Sequence, residues 1–247
     1  MTTSAGSSSH VWPPSRTRSM VLLAGVLLGL VAINLIAHFT GHWTEMLAVP
    51  VGAVLVVAGA RLAGLQWGEI GISRSELRAG VIYAVAAVVV VFAVVSIAVA
   101  IPATREFFRN DRYSSATDAL LAAFVFIPLQ TVLPEEFLFR GVLQGSLYRV
   151  FSRRATLGIG ALCFGMWHIS SSLGLTSGNE GLSGILGSGV FGQVVGILGA
   201  VVATAFAGLV LGWLRDRTTS LLAPIALHWA LNAVGAFGAA VAWHLPG

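Results

Sequence analysis

The chain has 247 residues, of which 56% are hydrophobic and only 10% charged, and its mean hydropathy is +0.87. Because an average soluble domain carries about 25% charged residues, this composition excludes a soluble fold. The formal net charge of +4 is the balance of 14 arginines and 10 acidic residues. The arginines are scattered between apolar segments without a basic patch, so we expect no nucleic-acid partner.

Seven apolar segments approach the roughly 20 residues that a helix needs to cross a bilayer. They are continuous rather than alternating, which favours helices over strands, and helices satisfy their own backbone hydrogen bonds in lipid. The sequence therefore predicts an all-α fold, a polytopic integral membrane helical bundle of about seven to eight transmembrane helices. The predicted spans cover residues 20–39, 46–62, 79–101, 117–148, 155–172, 192–214 and 221–243.

Residues 1–19 are rich in serine, threonine and proline and are predicted to form a disordered cytoplasmic tail. The following apolar run is longer than a signal-peptide core, which favours a retained first span. We divide the rest into N-terminal transmembrane helices and loops over residues 20–116 and a C-terminal core over 117–243. Cys163 is the only cysteine, so a disulfide framework and a cysteine-based zinc site are excluded.

The loops alternate between arginine-rich and arginine-poor, as expected when positively charged loops remain in the cytoplasm. This pattern predicts a cytoplasmic N-terminus, in a protein of the plasma (cytoplasmic) membrane. The cytoplasmic arginines would be 16, 18, 61, 74, 78, 149, 153, 154, 215 and 217. The opposite side would have only Arg105, Arg109 and Arg112, with Glu106 and Asp111 beside them.

Two regions fit a simple span poorly. The fourth segment is longer than one crossing needs and contains Pro134, which predicts a kinked or broken helix. The glycine-rich residues 174–199 are compatible with an external loop, a re-entrant segment or the start of a long sixth helix.

Polar residues inside three of the spans are the main functional signal, because unpaired charges are costly in a bilayer. The stretch PEEFLFRG places Glu136 and Arg140 four residues apart on a helix, where they can form an ion pair. Glu135 points about 100° away from Glu136 and is free to face a cavity. A purely structural role in locking helices together is the alternative.

Two histidines supply the other polar groups. His168 follows Phe164 by four residues in FGMWH, and Asn232 follows His228 by four in HWALN. Taken alone, each could form a simple interhelical hydrogen bond. Counted from the nearest cytoplasmic arginine, however, Glu135, His168, His228 and Asn232 all lie 11 to 15 residues into the membrane. That corresponds to about 16–23 Å, so we expect one shared layer.

This set contains what hydrolysis of a peptide bond requires. Glu135 is predicted to be the general base on water, with His168 holding the same water. His228 and Asn232 would donate hydrogen bonds to the carbonyl oxygen, and Glu136 with Arg140 would fix the surrounding helix. A metal version remains open, because Glu135, His168 and His228 form a possible ligand set for a divalent ion such as zinc. The cofactor is thus undetermined at this point, and the HExxH signature is absent.

The three motifs, EExxxR, FxxxH and HxxxN in that order, resemble those of the CPBP family of intramembrane endopeptidases. That family includes the type II CAAX prenyl endopeptidases and the Abi proteins. The resemblance covers residues 117–239, and LQWGEIGI around Trp67 is similar to a segment that often precedes the family core. It implies a glutamate-dependent protease acting on a membrane-associated or lipidated protein or peptide, with the matching positions as catalytic residues. It does not decide between metal-dependent and metal-free catalysis.

Two functions of other classes remain open from the sequence. One is a proton- or ion-coupled transporter, although the chain has no internal repeat of the kind on which many transporters are built. The other is a non-catalytic immunity or scaffold protein that binds a partner in the membrane. Membrane lipid is an expected partner in every case.

Overall fold

The computed structural model describes residues 15–73, 77–105, 108, 113, 115–173, 187 and 189–245. Within these residues the regular structure is helical and contains no strand, which confirms the predicted all-α class. The helices are α1 (Arg16–Phe39), α2 (His42–Leu62), α3 (Trp67–Ile70), α4 (Leu77–Ala100), α5 (Pro102–Arg105), α6 (Ala116–Tyr148), α7 (Arg153–Trp167), α8 (Val190–Thr218) and α9 (Leu222–His244).

Five helices in the described part of the chain, α1, α4, α6, α8 and α9, are long and apolar enough to cross a membrane. The apolar part of α2 is shorter, at Met46–Leu62. Helix α7 has 15 residues, or about 22 Å, whereas the hydrocarbon core is about 30 Å thick. Each predicted span contains a helix. Helix α7, however, is too short by itself for the full crossing predicted over residues 155–172.

The end of α7 has a local cause. His168 follows the last helical residue, and its Nδ1 lies 2.8 Å from the carbonyl oxygen of Phe164. The hydroxyls of Ser171 and Ser172 donate to the carbonyl oxygen of His168, at 3.2 and 2.6 Å. Such side-chain bonds compete with helical pairing, so the chain leaves the α-helix and forms a 3₁₀ turn at Ser170–Ser172.

The tail predicted over residues 1–19 overlaps helix α1 by four residues. Helix α1 starts at Arg16, and the hydroxyl of Ser15 caps it by accepting from the N–H of Arg18. Residues 16–19 are thus helical, because a serine cap satisfies an N–H that would otherwise have no partner. Residues 1–14, Arg74, Glu106, Arg109, Asp111, Arg112 and residues 174–186 lie outside the described residues. Of the glycine-rich region, residues 190–199 belong to α8.

Helix α6 is continuous over 33 residues and is not broken at Pro134. Two π-helical segments, Ala122–Val132 and Phe137–Leu143, flank the α-helical turn Leu133–Glu136. Pro128 lies inside the first segment, and proline has no N–H to donate. The helix accommodates its prolines by wider winding, and π-helical segments are frequent at functional sites. Both glutamates of the EExxxR motif lie in the turn between these segments.

The helices pack in pairs, with α4 along α9, α7 along α8 and α1 against α2. Small residues permit the close approach of α7 to α8: a Cβ on Gly165 would lie 2.7 Å from the carbonyl oxygen of Val201, and one on Gly208 would lie 3.1 Å from Phe164. Small residues at contacts are typical of helix packing in membranes. This packing fixes Phe164 against α8.

The short helix α3 connects the arginine-rich ends of two long helices. Arg149, after α6, donates to both carboxylate oxygens of Glu69, each at 2.7 Å, and Arg215 of α8 donates to the carbonyl oxygen of Glu69 at 2.9 Å. Burial acts to raise the pKa of Glu69, but the bonds from Arg149 and from the N–H of Gln66 outweigh it and hold the pKa below its usual value. The ends of α6 and α8 therefore meet on one side of the bundle, as the arginine pattern predicts.

Gly145 provides a test of how closely α3 must approach α6. A Cβ at this position would lie 2.7 Å from the backbone oxygen of Glu69. We expect Gly145→Ala to lower the free energy of unfolding by about 1–3 kcal/mol, a typical cost of overpacking. Thermal unfolding in detergent measures it. Gly158→Ala on α7 is the control, since a Cβ there meets nothing within 4 Å. Equal melting temperatures for the two variants would contradict the close approach.

Candidate active site

The EExxxR motif of α6 is almost completely buried. The exposed fraction is 6% for Glu135, 0% for Glu136 and 2% for Arg140. Arg140 Nη1 lies 3.0 Å from Glu136 Oε1, which confirms the ion pair predicted from the spacing. Because a buried charge without a partner is strongly destabilising, this pair allows the carboxylate of Glu136 to remain inside the bundle.

His228 of α9 completes the group. Its Nδ1 lies 2.8 Å from Glu136 Oε1, so one carboxylate oxygen accepts from both Arg140 and His228. Its Nε2 lies 3.9 Å from Glu135 Oε2, beyond direct hydrogen-bonding distance. We call these four side chains, Glu135, Glu136, Arg140 and His228, the polar cluster. The two predicted motifs on α6 and α9 therefore meet, although their residues are about 90 positions apart in sequence.

The winding of α6 also helps to place His228. The indole N–H of Trp229 donates to the carbonyl oxygen of Ala123 at 2.8 Å. In π-helical pairing that oxygen would accept from the residue five positions later, which is Pro128 and has no N–H. The proline thus leaves an acceptor free for Trp229, and this bond fixes α9 against α6 next to His228.

Trp167, the last residue of α7, contacts Glu135 directly. Its indole N–H donates to Glu135 Oε1 at 3.1 Å, and its side chain is buried. Sequence reasoning missed this residue. The available signal was a tryptophan within an apolar segment, because a buried indole N–H usually finds an acceptor. Trp167 fixes one oxygen of Glu135 and leaves Oε2 facing His228.

Phe164 is the common packing partner of the charged and aromatic groups. The guanidinium carbon of Arg140 lies 3.9 Å from its ring centroid, a cation–π contact. The rings of His168 and His228 meet it edge-on, with centroids 4.7 and 6.0 Å away. The phenylalanine of the FxxxH motif therefore holds the polar cluster in place.

His168 lies beside the polar cluster but makes no hydrogen bond to it. Its half-buried ring touches Phe164, and its Nδ1 lies 2.8 Å from the carbonyl oxygen of Phe164. Since a carbonyl only accepts, Nδ1 must carry a proton, which leaves Nε2 as the second polar atom. This geometry orients the ring without bringing it into contact with Glu135.

Asn232 also lies away from the polar cluster. Its side chain is exposed and makes no hydrogen bond with any described residue. It lines a cavity of about 400 Å³ together with Ile127 and Thr131 of α6. The structure thus brings Glu135, Glu136, Arg140 and His228 together and places His168 next to them through Phe164. Asn232 lies one helical turn beyond His228 on α9, in a cavity that none of the four cluster residues lines.

Three buried polar atoms of the cluster have no hydrogen-bond partner: Glu135 Oε2, Glu136 Oε2 and Arg140 Nη2. Leaving such atoms unpaired costs about 1–3 kcal/mol each, and more for charged groups, so they favour occupation by water or a polar ligand group. With His228 protonated, the two carboxylates, the guanidinium and the imidazolium have a total charge of zero. A neutral group of this kind can remain inside an apolar bundle.

The ligand set considered for a metal does not form. No group of three His, Cys, Asp or Glu side chains among the described residues has the arrangement needed to hold an ion. Glu135 and His228 approach each other, whereas His168 joins them only through the ring of Phe164. We therefore derive no chemical step through a metal.

Comparison with known proteins agrees with the motifs. Residues 117–234 match the family model described as type II CAAX prenyl endopeptidase Rce1-like. No curated protein and no solved structure matches the chain. The matched region begins in α6 and ends in α9, so it contains the complete polar cluster together with Trp167, His168 and Asn232. This match covers just under half of the chain and supports the resemblance of the three motifs to the CPBP family.

Proposed function

We propose that this protein hydrolyses a peptide bond of a membrane-associated protein at the polar cluster, with Glu135 as the general base. The matched family is one of intramembrane CAAX-type endopeptidases. One observation carries the choice of Glu135: its Oε2 is buried, has no hydrogen-bond partner and lies 3.9 Å from His228 Nε2. Glu136 also has an unpartnered Oε2, but its Oε1 accepts from both Arg140 and His228, whereas Glu135 accepts only from the neutral indole of Trp167.

The reaction follows from these positions. A water molecule on Glu135 Oε2 gives its proton to the carboxylate while its oxygen attacks the scissile carbonyl carbon. His228, as an imidazolium, donates from Nε2 to the oxyanion that develops on the carbonyl oxygen. The C–N bond then breaks, and Glu135 returns the proton to the leaving amine. Water is consumed, and a carboxylic acid and an amine are released.

The remaining residues hold this arrangement. Glu136 accepts from Nδ1 of His228 and so fixes the orientation of the imidazole, as a carboxylate behind a catalytic histidine commonly does. Arg140 balances the charge of Glu136. We assign Asn232 to binding the substrate main chain in its cavity, one helical turn from the cluster. We assign His168, whose half-buried ring packs against Phe164, to holding water at the edge of the cluster.

The proposed substrate is a lipidated C-terminal peptide of the CAAX type. The family match supports a membrane-associated protein substrate. Lipidation would hold the peptide at the membrane, where the polar cluster of α6 and α9 lies. The same match favours an endopeptidase over an ion-coupled transporter or a non-catalytic scaffold.

We place the protein in the plasma (cytoplasmic) membrane with its N-terminus inside. The meeting of Arg149, Arg153 and Arg215 at one end of the bundle supports this orientation, because such loops tend to stay in the cytoplasm.

Replacing the proposed base gives the first test of the mechanism. Glu135→Gln keeps the shape and the bond to Trp167 but removes the proton acceptor. We expect kcat to fall about 10²-fold or more, measured with a prenylated CAAX peptide in liposomes. Asp118→Asn, an exposed carboxylate on the same helix, is the control and should retain activity. Full activity in Glu135→Gln would reject this residue as the base.

Trp167→Phe tests the bond that orients Glu135. The ring is retained and the N–H is lost, so we expect kcat to fall about tenfold or more with KM nearly unchanged, as for loss of a bond to a charged group. Trp213→Phe, on the exposed side of α8, is the matched control. An unchanged kcat, or a change confined to KM, would show that Trp167 does not position the base.

Chelation tests the metal-free mechanism. Because the described donors do not form a metal site, we expect purified protein to keep its activity after treatment with a strong chelator. Elemental analysis of the same sample should give substoichiometric zinc. Activity that is lost on chelation and restored by added zinc would contradict the mechanism proposed here.

A further inference from the structure

The exposed side of α2 forms an open apolar groove with α6, and no residue of the polar cluster lines it. We call it the α2–α6 groove; its volume is about 830 Å³. Its walls include Pro50, Val54 and Val57 of α2 and Leu129, Leu133 and Phe137 of α6. No acidic residue lines it among the residues that the structure describes.

One end of the α2–α6 groove carries a fixed positive charge. Arg61, in the last turn of α2, is half-buried, and its Nη1 donates to the carbonyl oxygen of Leu65. Its guanidinium carbon lies 4.8 Å from the ring centroid of Trp67, a cation–π contact. Nε and Nη2 of Arg61 form no hydrogen bond with the described residues. Glu69 in α3 attracts the charge of Arg61, but both of its carboxylate oxygens are bonded to Arg149. The charge of Arg61 is therefore held in place, with two of its nitrogens, Nε and Nη2, available to donate.

The length of the groove fits one leaflet of a bilayer. On α2 it runs from Pro50 to Leu62, which is about 18 Å at the helical rise, and half of a typical hydrocarbon core is about 15 Å. An apolar channel of this length with a cation at one end matches one acyl chain attached to an anionic head group.

A second groove shows the same arrangement. Between α1 and α2 lies a groove of about 590 Å³, lined by Val21, Val26 and Val56 and, at the end where α1 begins, by Arg18. Arg18 and Arg61 lie at the same end of the bundle, because α1 starts where α2 finishes. Arginines at this one level, next to apolar grooves, correspond to the head-group region of a single leaflet.

From these observations we propose that the α2–α6 groove is a binding site for an anionic phospholipid, with one acyl chain along α2 and the phosphate on Arg61. Basic pockets between membrane helices recognise anionic head groups by charge, whereas the acyl chain supplies apolar contact. This inference does not rest on the proposed peptidase function, because its test measures binding alone.

The test is native mass spectrometry of the full chain in detergent, titrated with dioleoyl phosphatidylglycerol or dioleoyl phosphatidylcholine. We expect the wild type to retain phosphatidylglycerol preferentially. Arg61→Gln should weaken that retention about fivefold and leave phosphatidylcholine unchanged. Arg217→Gln, an exposed arginine at the same end, is the control and should behave as the wild type. Soluble glycerol phosphate should not compete, since it has no acyl chain.

A second variant keeps the test decisive if Arg61→Gln folds poorly. Ala58→Phe fills the groove without removing Arg61 and should weaken the retention of both lipids, whereas Leu55→Phe on another face of α2 should not. Equal retention of the two lipids by the wild type would overturn the proposal. Unchanged phosphatidylglycerol binding in well-folded Arg61→Gln or Ala58→Phe would also overturn it.

Discussion

The carboxylate of Glu136 is the group on which the interior of this protein depends. Fully buried, it accepts at one oxygen from Arg140 of its own helix and from His228 of α9. Without these two donors a charge at this depth would be strongly unfavourable, and without Glu136 neither cation would have a counter-charge so close. The interaction therefore ties α6 to α9 and gives the imidazole a fixed orientation. Glu135, one residue earlier, is left with one oxygen available for chemistry.

Elements outside the matched region support this arrangement from a distance. Helix α3 is clamped by Arg149 and Arg215, and it lies so close to α6 that Gly145 has no space for a side chain. Helix α1 contributes Asn34, whose amide donates to the carbonyl oxygen of Trp167 and whose oxygen accepts from Ser170. The N-terminal helices thus hold the end of α7, from which Trp167 reaches Glu135. The position of the proposed base, Glu135, therefore depends on α7 and α1 as well as on α6 itself.

The fold was largely predictable because bilayer thickness and backbone pairing leave few alternatives to long apolar helices. All seven predicted segments are helical over most of their length, and spacing alone gave the Glu136–Arg140 pair. The π-helical winding of α6 was not predictable. A proline such as Pro134 predicts a kink or a break, because the sequence does not show which groups bond to the carbonyl oxygens that a proline leaves free. The shortening of α7 depended on serine hydroxyls returning to His168, a local competition that hydropathy does not reveal. Counting residues from the cytoplasmic arginines predicted how deep each polar side chain lies in the membrane, but not which side of its helix it points to. It therefore grouped Asn232 with His228 although only His228 contacts the polar cluster, and it missed Trp167.

The most direct measurement is a high-resolution experimental structure of the protein in a lipid bilayer, read at Glu135, Glu136 and His228. The account predicts Nδ1 of His228 within about 3.2 Å of a Glu136 oxygen, with a water or substrate group bridging Nε2 and Glu135. A structure in which His228 faces lipid, or lies beyond contact with both glutamates, would contradict the account.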